Sequence, residues 1–422
     1  MKVLVIGGGG KEHAIVWKLS QSKHVDMIYC CPGNAGISDL AECIDIDPED
    51  NEALVDFAKY EWIDLTIVSS KEHLLKGLVD SFEKRGFKVF GPNRTVAKLG
   101  TSRIFAKNFM RLYRIPTAGY KVFTTYQYAE DYVRLKGPPI VIRLDIPLEG
   151  CDTYVAFSVE DAINALKAIF KERGFISENP YIIIEEELKG EVISCMSFID
   201  GKDIEPFPAS KKYRQIYDRN IGLITEGMGA YSPVPVYTKE IESMIMKKIF
   251  QPVLKGLNSG GLRYKGIFSA EILIKDGNPY VVNMDITFPD PETQTVLPRM
   301  DADFIEIALM IINERLSEIK NKIKWKQDTS VCVVVSSKDY PKKSQNNSII
   351  SGLEKVKNMR DVYVFHADTK FDNSNIVSSN GRVLSISAIG ENIKDAREKA
   401  YGAIEKIYFE RMHYRKDIGL HL

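Results

Sequence analysis

Short apolar runs alternate with longer amphipathic ones over the first hundred residues. Met1–Ile6, Met27–Cys31, Leu65–Val68 and Lys88–Phe90 read as β-strands, with Lys11–Leu19 and Leu54–Tyr60 as helices between them. Such strand–helix alternation predicts a parallel sheet covered by helices. Past residue 100 the alternation is less regular. Pro138 and Pro139 precede a strand at Ile140–Arg143, and Asp161–Glu172 predicts an amphipathic helix. Tyr181–Glu186 and Val192–Ile199 predict a strand pair, and Lys239–Leu257 a long helix. Ile267–Ile274 and Tyr280–Ile286 form a hairpin around Asp276-Gly277-Asn278-Pro279, whose residues suit a turn. Met300–Arg315 predicts another helix. The polar stretch Asn321–Thr329 then links to a last unit with strands at Ser330–Ser336 and Arg382–Ala388 and a closing helix at Ile393–Arg411.

Composition narrows the class. A chain of 422 residues suits roughly two to four structural units with a large core. Lys+Arg and Asp+Glu both number 57, so the formal net charge is +0, which argues against a nucleic-acid partner. The six cysteines, Cys30, Cys31, Cys43, Cys151, Cys195 and Cys332, form no C-x-x-C pair. Reduced thiols in a cytoplasmic protein are the expectation. The first apolar run is too short for a signal peptide, and no stretch reaches transmembrane length, so no membrane partner is expected.

Gly7-Gly8-Gly9-Gly10 stands between the first strand and the first helix. Glycines there let backbone N–H groups approach an anion at the helix N-terminus, although a purely structural turn reads equally well from this much. The continuation Lys11-Glu12-His13-Ala14 closely resembles the opening of phosphoribosylamine–glycine ligases. Pro32-Gly33-Asn34-Ala35-Gly36 matches that family's PGNAG turn, and Gly91-Pro92 with Ser102 and Phe105-Ala106-Lys107 its GP…SK.F.K segment. Glu185-Glu186, Leu188 and Gly190 match its hinge strand. Gly227–Ser232, Asp290–Gln294 with Arg299, and Arg415–Gly419 match GMGAYS, DPETQ…R and RKDIG. Together, and in order, these motifs are specific.

The resemblance implies an α/β chain: an N-terminal Rossmann-like domain over 1–100, an ATP-grasp core of two α+β lobes over 101–325, and a C-terminal mixed α/β domain over 330–422. The mobile lobe of the core would span about 118–190. The implied reaction passes the γ-phosphate of ATP to the carboxylate of glycine, and the amine of 5-phosphoribosylamine then attacks the acyl phosphate. The implied ATP-binding residues are Lys107, Arg143, Glu185, Glu186 and Leu188. Gly9, Gly10, Lys11, Glu12, His13, Pro32, Gly33, Asn34 and Gly229 would bind substrate, and Asp290, Glu292 and Arg143 would serve catalysis.

Several positions depart from the family pattern. K-A-D-G-L-A-x-G-K-G is replaced by Arg143–Asp152, which exchanges the first lysine for Arg143 and brings in Glu149 and Asp152. Carboxylates near a triphosphate repel it unless a metal intervenes. Val192 stands at the glutamate of G-x-E, Ser69-Ser70-Lys71 at GPE, and Thr287-Phe288-Pro289 at the start of RFGDPE. Asp339 and Lys342 flank Tyr340-Pro341 in place of glycines. Where the family has Glu and Asn two apart on a strand, this chain has Asn283 and Asp285, which share one strand face. Glu271 on the preceding strand completes an oxygen set for Mg²⁺ (or Mn²⁺), the alternative being a polar hairpin face turned to solvent. Three readings follow: a ligase with a rearranged site, a catalytically silent homologue that keeps the fold, or an ATP-grasp ligase for another amine and acid. The first implies ATP and Mg²⁺ as cofactors, glycine and 5-phosphoribosylamine as small-molecule partners, and a monomer or homo-oligomer.

Overall fold

The computed structural model describes residues 1–145, 153–172, 181–341 and 347–420. Glu149, Cys151 and Asp152 of the altered loop, and Lys342, lie outside the described residues. The N-terminal alternation folds as expected. Five parallel strands stand in the order Glu42–Cys43, Met27–Pro32, Lys2–Gly7, Leu65–Val68, Val89–Phe90. The central strand is entirely apolar and buried from Val3 to Ile6, as a strand with helices on both faces requires. The chain runs outward on one side of Lys2–Gly7 and then returns to its other side at Leu65–Val68. This reversal opens a crevice at the carboxyl ends of the two strands, flanked by Gly7–Gly10 and Ser69–Lys71.

Two antiparallel sheets follow. One, in the order Tyr120–Phe123, Ile182–Glu186, Ile140–Leu144, Thr153–Ala156, packs its apolar face on the helices Tyr126–Lys136 and Val159–Lys167. The other runs Ile204–Pro206, Glu191–Ile199, Gly266–Lys275, Asn278–Asp285. The expected strand pair therefore does not exist: Ile182–Glu186 and Glu191–Ile199 belong to different sheets. Their connection crosses from one layer to the next, and each strand finds its hydrogen bonds elsewhere. The hairpin forms as expected. Asp276 and Gly277 adopt left-handed φ values of 48° and 73°, the twist that a two-residue turn between right-twisted strands needs.

The last sheet ignores the polar link near residue 325. Lys211–Tyr217 and Ile221–Ser232 form a ribbon that continues into Thr329–Ser337, Arg382–Gly390 and Val362–His366. Two helices are shorter than their apolar patterns predict. Asp303 caps Ile305 N at 3.0 Å, so the helix begins at Phe304 and ends at Ile312 rather than covering Met300–Arg315. The closing helix stops at Ile404 instead of Arg411, because Tyr408 leaves to exchange backbone hydrogen bonds with Ser351 at 2.9 and 3.0 Å. Among the described residues, no helix is long and apolar enough to cross a membrane.

The chain end is anchored by a buried ion pair. The Arg415 guanidinium, 1% exposed, donates both Nε and Nη2 to Asp417 at 2.7 Å, and Nη1 reaches Gln215 O and Asn220 Oδ1 at 3.0 Å. Burial alone would raise the Asp417 pKa, but Arg415 and the Arg219 N–H outweigh it and hold the carboxyl at about 2. Asp417→Asn leaves the guanidinium buried and half-partnered, and should cost about 3 kcal/mol in denaturant unfolding. In the wild type this contribution is complete above pH ~4 and disappears as pH falls toward 2, because the unfolded carboxyl takes up its proton first.

Candidate functional site

The hairpin supplies the chemistry. Glu271 pairs directly with Asn283, and Ser269 with Asp285. A register shift just beyond Glu271 sets Ile272 against Val281, leaving Val282 as the extra residue. Its carbonyl accepts from Arg143 Nη1 at 3.3 Å, tying the neighbouring lobe to the hairpin. Glu271, Asn283 and Asp285 line one cavity of about 80 Å³ together with Glu292, Ser194, Lys71, Arg103, Lys212, Arg214 and Glu226. The expected oxygen set is thus brought together.

Four basic and four acidic side chains line this cavity: Lys71, Arg103, Lys212 and Arg214 against Glu226, Glu271, Asp285 and Glu292. Lys212 Nζ bridges Glu271 Oε1 at 3.3 Å and Glu292 Oε1 at 3.0 Å, and Arg214 Nη1 lies 3.4 Å from Glu271 Oε2. Burial works against the Glu271 carboxylate, yet Arg214, Lys212 and Arg143 together bring its pKa down to about 2. Burial likewise disfavours the Lys212 ammonium, but Glu292 and Glu271 overcome this and raise its pKa. Ser194 Oγ donates to Glu292 Oε1 at 2.9 Å, whereas Glu292 Oε2 is buried with no hydrogen-bond partner. Asp285 Oδ1 accepts from Ile286 N at 2.7 Å, and its Oδ2 lies 2.6 Å from Lys71 Nζ. Glu271, Asn283 and Asp285 place hard oxygen donors on one wall, a set that fits a divalent cation of the Mg²⁺ type.

Three of the expected ATP residues, Lys107, Arg143 and Glu185, meet beside this wall. Lys107, 2% exposed, reaches Glu185 Oε2 at 3.0 Å and Thr117 Oγ1 at 2.8 Å. Burial lowers the Lys107 pKa against the opposing pull of Glu185. Arg143 Nε stands 3.7 Å from Glu185 Oε1. Glu186 accepts from Gly119 N at 2.9 Å, and Leu188 is half-buried in the connection between the two sheets. Asp290 pairs with Arg382 at 2.7 Å, so a cation missing from its own motif arrives from the last sheet.

Family models match the chain in succession: the phosphoribosylglycinamide synthetase N domain over 1–100, its ATP-grasp (A) domain over 101–293 and its C domain over 330–421. The chain belongs to the phosphoribosylglycinamide synthetase family. A phosphoribosylamine–glycine ligase of Caldanaerobacter subterraneus subsp. tengcongensis is 41% identical over 419 residues, 99% of each chain. That of Escherichia coli O6:H1 is 39% identical over 423 residues, covering 99% of this chain and 98% of its own. The crystal structure of phosphoribosylamine–glycine ligase from Thermotoga maritima superposes with a TM-score of 0.85 at 25% identity, covering 99% of this chain and all of that one. The biotin carboxylase domain of Hydrogenobacter thermophilus 2-oxoglutarate carboxylase, at 16% identity and a TM-score of 0.70 over 98% of this chain and 91% of its own, shares the fold.

In this synthetase-family chain the N-terminal motif residues spend their side chains on architecture. Glu12 accepts from Gly9 N at 2.9 Å and from Ser69 Oγ at 2.5 Å, while Lys11 Nζ donates to Ser69 O at 2.8 Å. Asn34 donates to Gly8 O at 2.8 Å and His366 O at 2.9 Å, and accepts from Gly36 N and Ile37 N. His13 Nδ1 accepts from His366 N at 2.9 Å. Gly9, Gly10, Pro32 and Gly33 shape the turns, and a Cβ on Gly10 would come within 2.7 Å of Gln294 Nε2. Gly229 sits in the ribbon, where a Cβ would come within 2.6 Å of Cys332 O. None of these nine lines the Glu271–Glu292 cavity. Lys212 and Arg214 escaped the sequence reading. They share one strand face at a spacing of two, but alternate cations on a strand normally mark solvent.

Two outcomes are expected. Lys212→Met takes the ion-pair partner from Glu292 and leaves Glu271 to Arg214, and should lower stability by about 3 kcal/mol in denaturant titration. His13 and His366 are held neutral by burial, at about 3 and about 4, with each other's proximity adding to the effect on His13. The unfolded chain binds protons on these rings below pH ~6.5, and the folded chain does not. Unfolding free energy should therefore fall as pH drops from about 6.5 toward 4, with a shallower slope in His13→Gln.

Proposed function

We propose that the chain is an ATP-dependent ligase that joins glycine to 5-phosphoribosylamine through a glycyl phosphate in de novo purine biosynthesis. It works in the cytoplasm as a monomer or homo-oligomer. The observation that carries this reading is Glu292 Oε2, an orphaned acceptor buried beside Lys212 in a cavity of balanced charge. A buried carboxylate oxygen without a partner awaits a donor, and an amine substrate supplies one.

Each residue then has a task. Lys107 and Arg143 receive the nucleotide phosphates, and Glu185, Glu186 and Leu188 line the adenine side. Glu271, Asn283 and Asp285 hold Mg²⁺ (or Mn²⁺), which when bound neutralises charge on the transferring phosphoryl group. A carboxylate oxygen of glycine forms a bond to the γ-phosphorus as the bond to ADP breaks. The amine of phosphoribosylamine then attacks the acyl carbon while Glu292 Oε2 accepts a hydrogen bond from the attacking nitrogen, the bond from carbon to the phosphate oxygen breaks, and the phosphate leaves with the proton that the nitrogen sheds. Asp290, fixed by Arg382, borders the reacting groups. Gly9–His13, Pro32–Asn34 and Gly229 shape the pocket for the ribose phosphate, and backbone N–H groups at the helix start favour its charge.

Isothermal titration with a non-hydrolysable ATP analogue tests the reading, with micromolar binding expected only in the presence of Mg²⁺. Glycine and phosphoribosylamine should then release ADP, and Arg143→Ala should lower kcat/KM about a hundredfold. No analogue binding would instead mean a catalytically silent homologue. ADP release with an acid other than glycine would mean a different ligase.

A further inference from the structure

Of the four cations lining the cavity, three are tied into place. Arg103 is buried and donates to Leu144 O at 2.6 Å. Lys212 bridges two carboxylates, and Arg214 is paired with Glu271. Lys71 differs in origin and in tether. It comes from the first sheet's unit, immediately after Leu65–Val68, in the crevice where the strand order reverses. Asp285 is its one ion-pair partner among the described residues, and its side chain keeps 38% exposure.

Asp285 has one oxygen to offer. Its Oδ1 is held by Ile286 N at 2.7 Å, Thr287 N at 3.3 Å and Thr287 Oγ1 at 3.2 Å. Its Oδ2 is the atom that Lys71 Nζ occupies at 2.6 Å. A divalent cation on the Glu271–Asn283–Asp285 wall therefore meets an ammonium already in place. At equal distance a double charge attracts a carboxylate twice as strongly as a single one, so the metal can displace the ammonium. A long flexible stem then leaves the displaced charge close to whatever anion arrives with the metal.

We propose that Lys71 is a resident counter-cation of the nucleotide site: it competes with Mg²⁺ for Asp285 Oδ2 and, once displaced, binds the anionic phosphate oxygens of the nucleotide. The proposal rests on the cavity being the nucleotide site. Loading becomes an exchange of ion pairs in which neither Asp285 nor Lys71 is left as an unpaired charge in a partly dry pocket. Lys71 is on this account a nucleotide-binding residue that also links the first unit to the occupancy of the hairpin.

The test is isothermal titration of the full chain with Mn²⁺ alone, and separately with a non-hydrolysable ATP analogue in Mg²⁺. In Lys71→Met, Mn²⁺ should bind about tenfold more tightly and the Mg²⁺–analogue pair about tenfold more weakly. A merely structural lysine moves both constants the same way or neither, and either result overturns the proposal. Asp285→Asn supplies a second arm, because it frees Lys71 without removing it. In EDTA the analogue should bind this variant several-fold more tightly than the wild type, and an unchanged affinity counts against the proposal. Wild-type protein that binds no analogue with Mg²⁺ sinks the nucleotide-site reading and this inference together. Wild-type binding with Lys71→Met unchanged sinks this inference alone.

Discussion

The lattice of ion pairs around Lys212 is the constraint on which the centre of the molecule depends. An ammonium and two carboxylates are withdrawn from water there, with the part-exposed Arg214 guanidinium at their edge, and each buried charge is tolerable only while the others stay within a few ångströms. Lys212 and Arg214 lie on the ribbon that continues into the last sheet, Glu271 on the hairpin, and Glu292 at the start of a short helix packed between them. Removing any one member leaves a buried charge exposed to its neighbours. The lattice therefore aligns three separate elements while keeping one acceptor, Glu292 Oε2, unspent.

A second set of contacts fastens the first unit to the rest. Glu12, His13 and Asn34 belong to the most recognisable motifs of the chain, yet both Glu12 oxygens, His13 Nδ1 and the Asn34 amide bond to other parts of the protein. Asn34 and His13 meet the backbone of His366, at the end of a strand in the last sheet. These motifs hold the glycine turns in shape and join the first unit to the last. A recognisable motif can thus be specific for a family while its side chains do architectural work.

The departures from the family pattern look different in space than along the chain. Lys71 at the GPE turn and Asp285 on the hairpin are a pair, so an ammonium in place of a carboxylate meets a carboxylate in place of an amide at one contact. Thr287 stands where the pattern has arginine, and Arg382 supplies a guanidinium to Asp290 from another strand. Glu271 is an added carboxylate, and Lys212 with Arg214 neutralises it. The cavity is balanced in charge, four basic side chains against four acidic ones.

By itself, the sequence determined the first parallel sheet, the hairpin with its Asp276-Gly277 turn, the family and the membership of the oxygen wall. Each depends on a local pattern: unbroken apolar runs, a turn that needs left-handed φ, and two side chains two apart on a strand. The alternative of a solvent-facing hairpin had the same local pattern, and the cavity walls decided between them. Only the tertiary structure decided that Ile182–Glu186 and Glu191–Ile199 part into different sheets, and that a ribbon from the middle of the chain joins the last one. It also decided which cation neutralises which carboxylate. Lys71 and Asp285 are more than two hundred positions apart, and Lys212 looks like any surface lysine until Glu271 and Glu292 close around it. Pairing between distant charges leaves no periodic trace in a sequence, because it is fixed by where the backbone returns and not by what the neighbouring residues are.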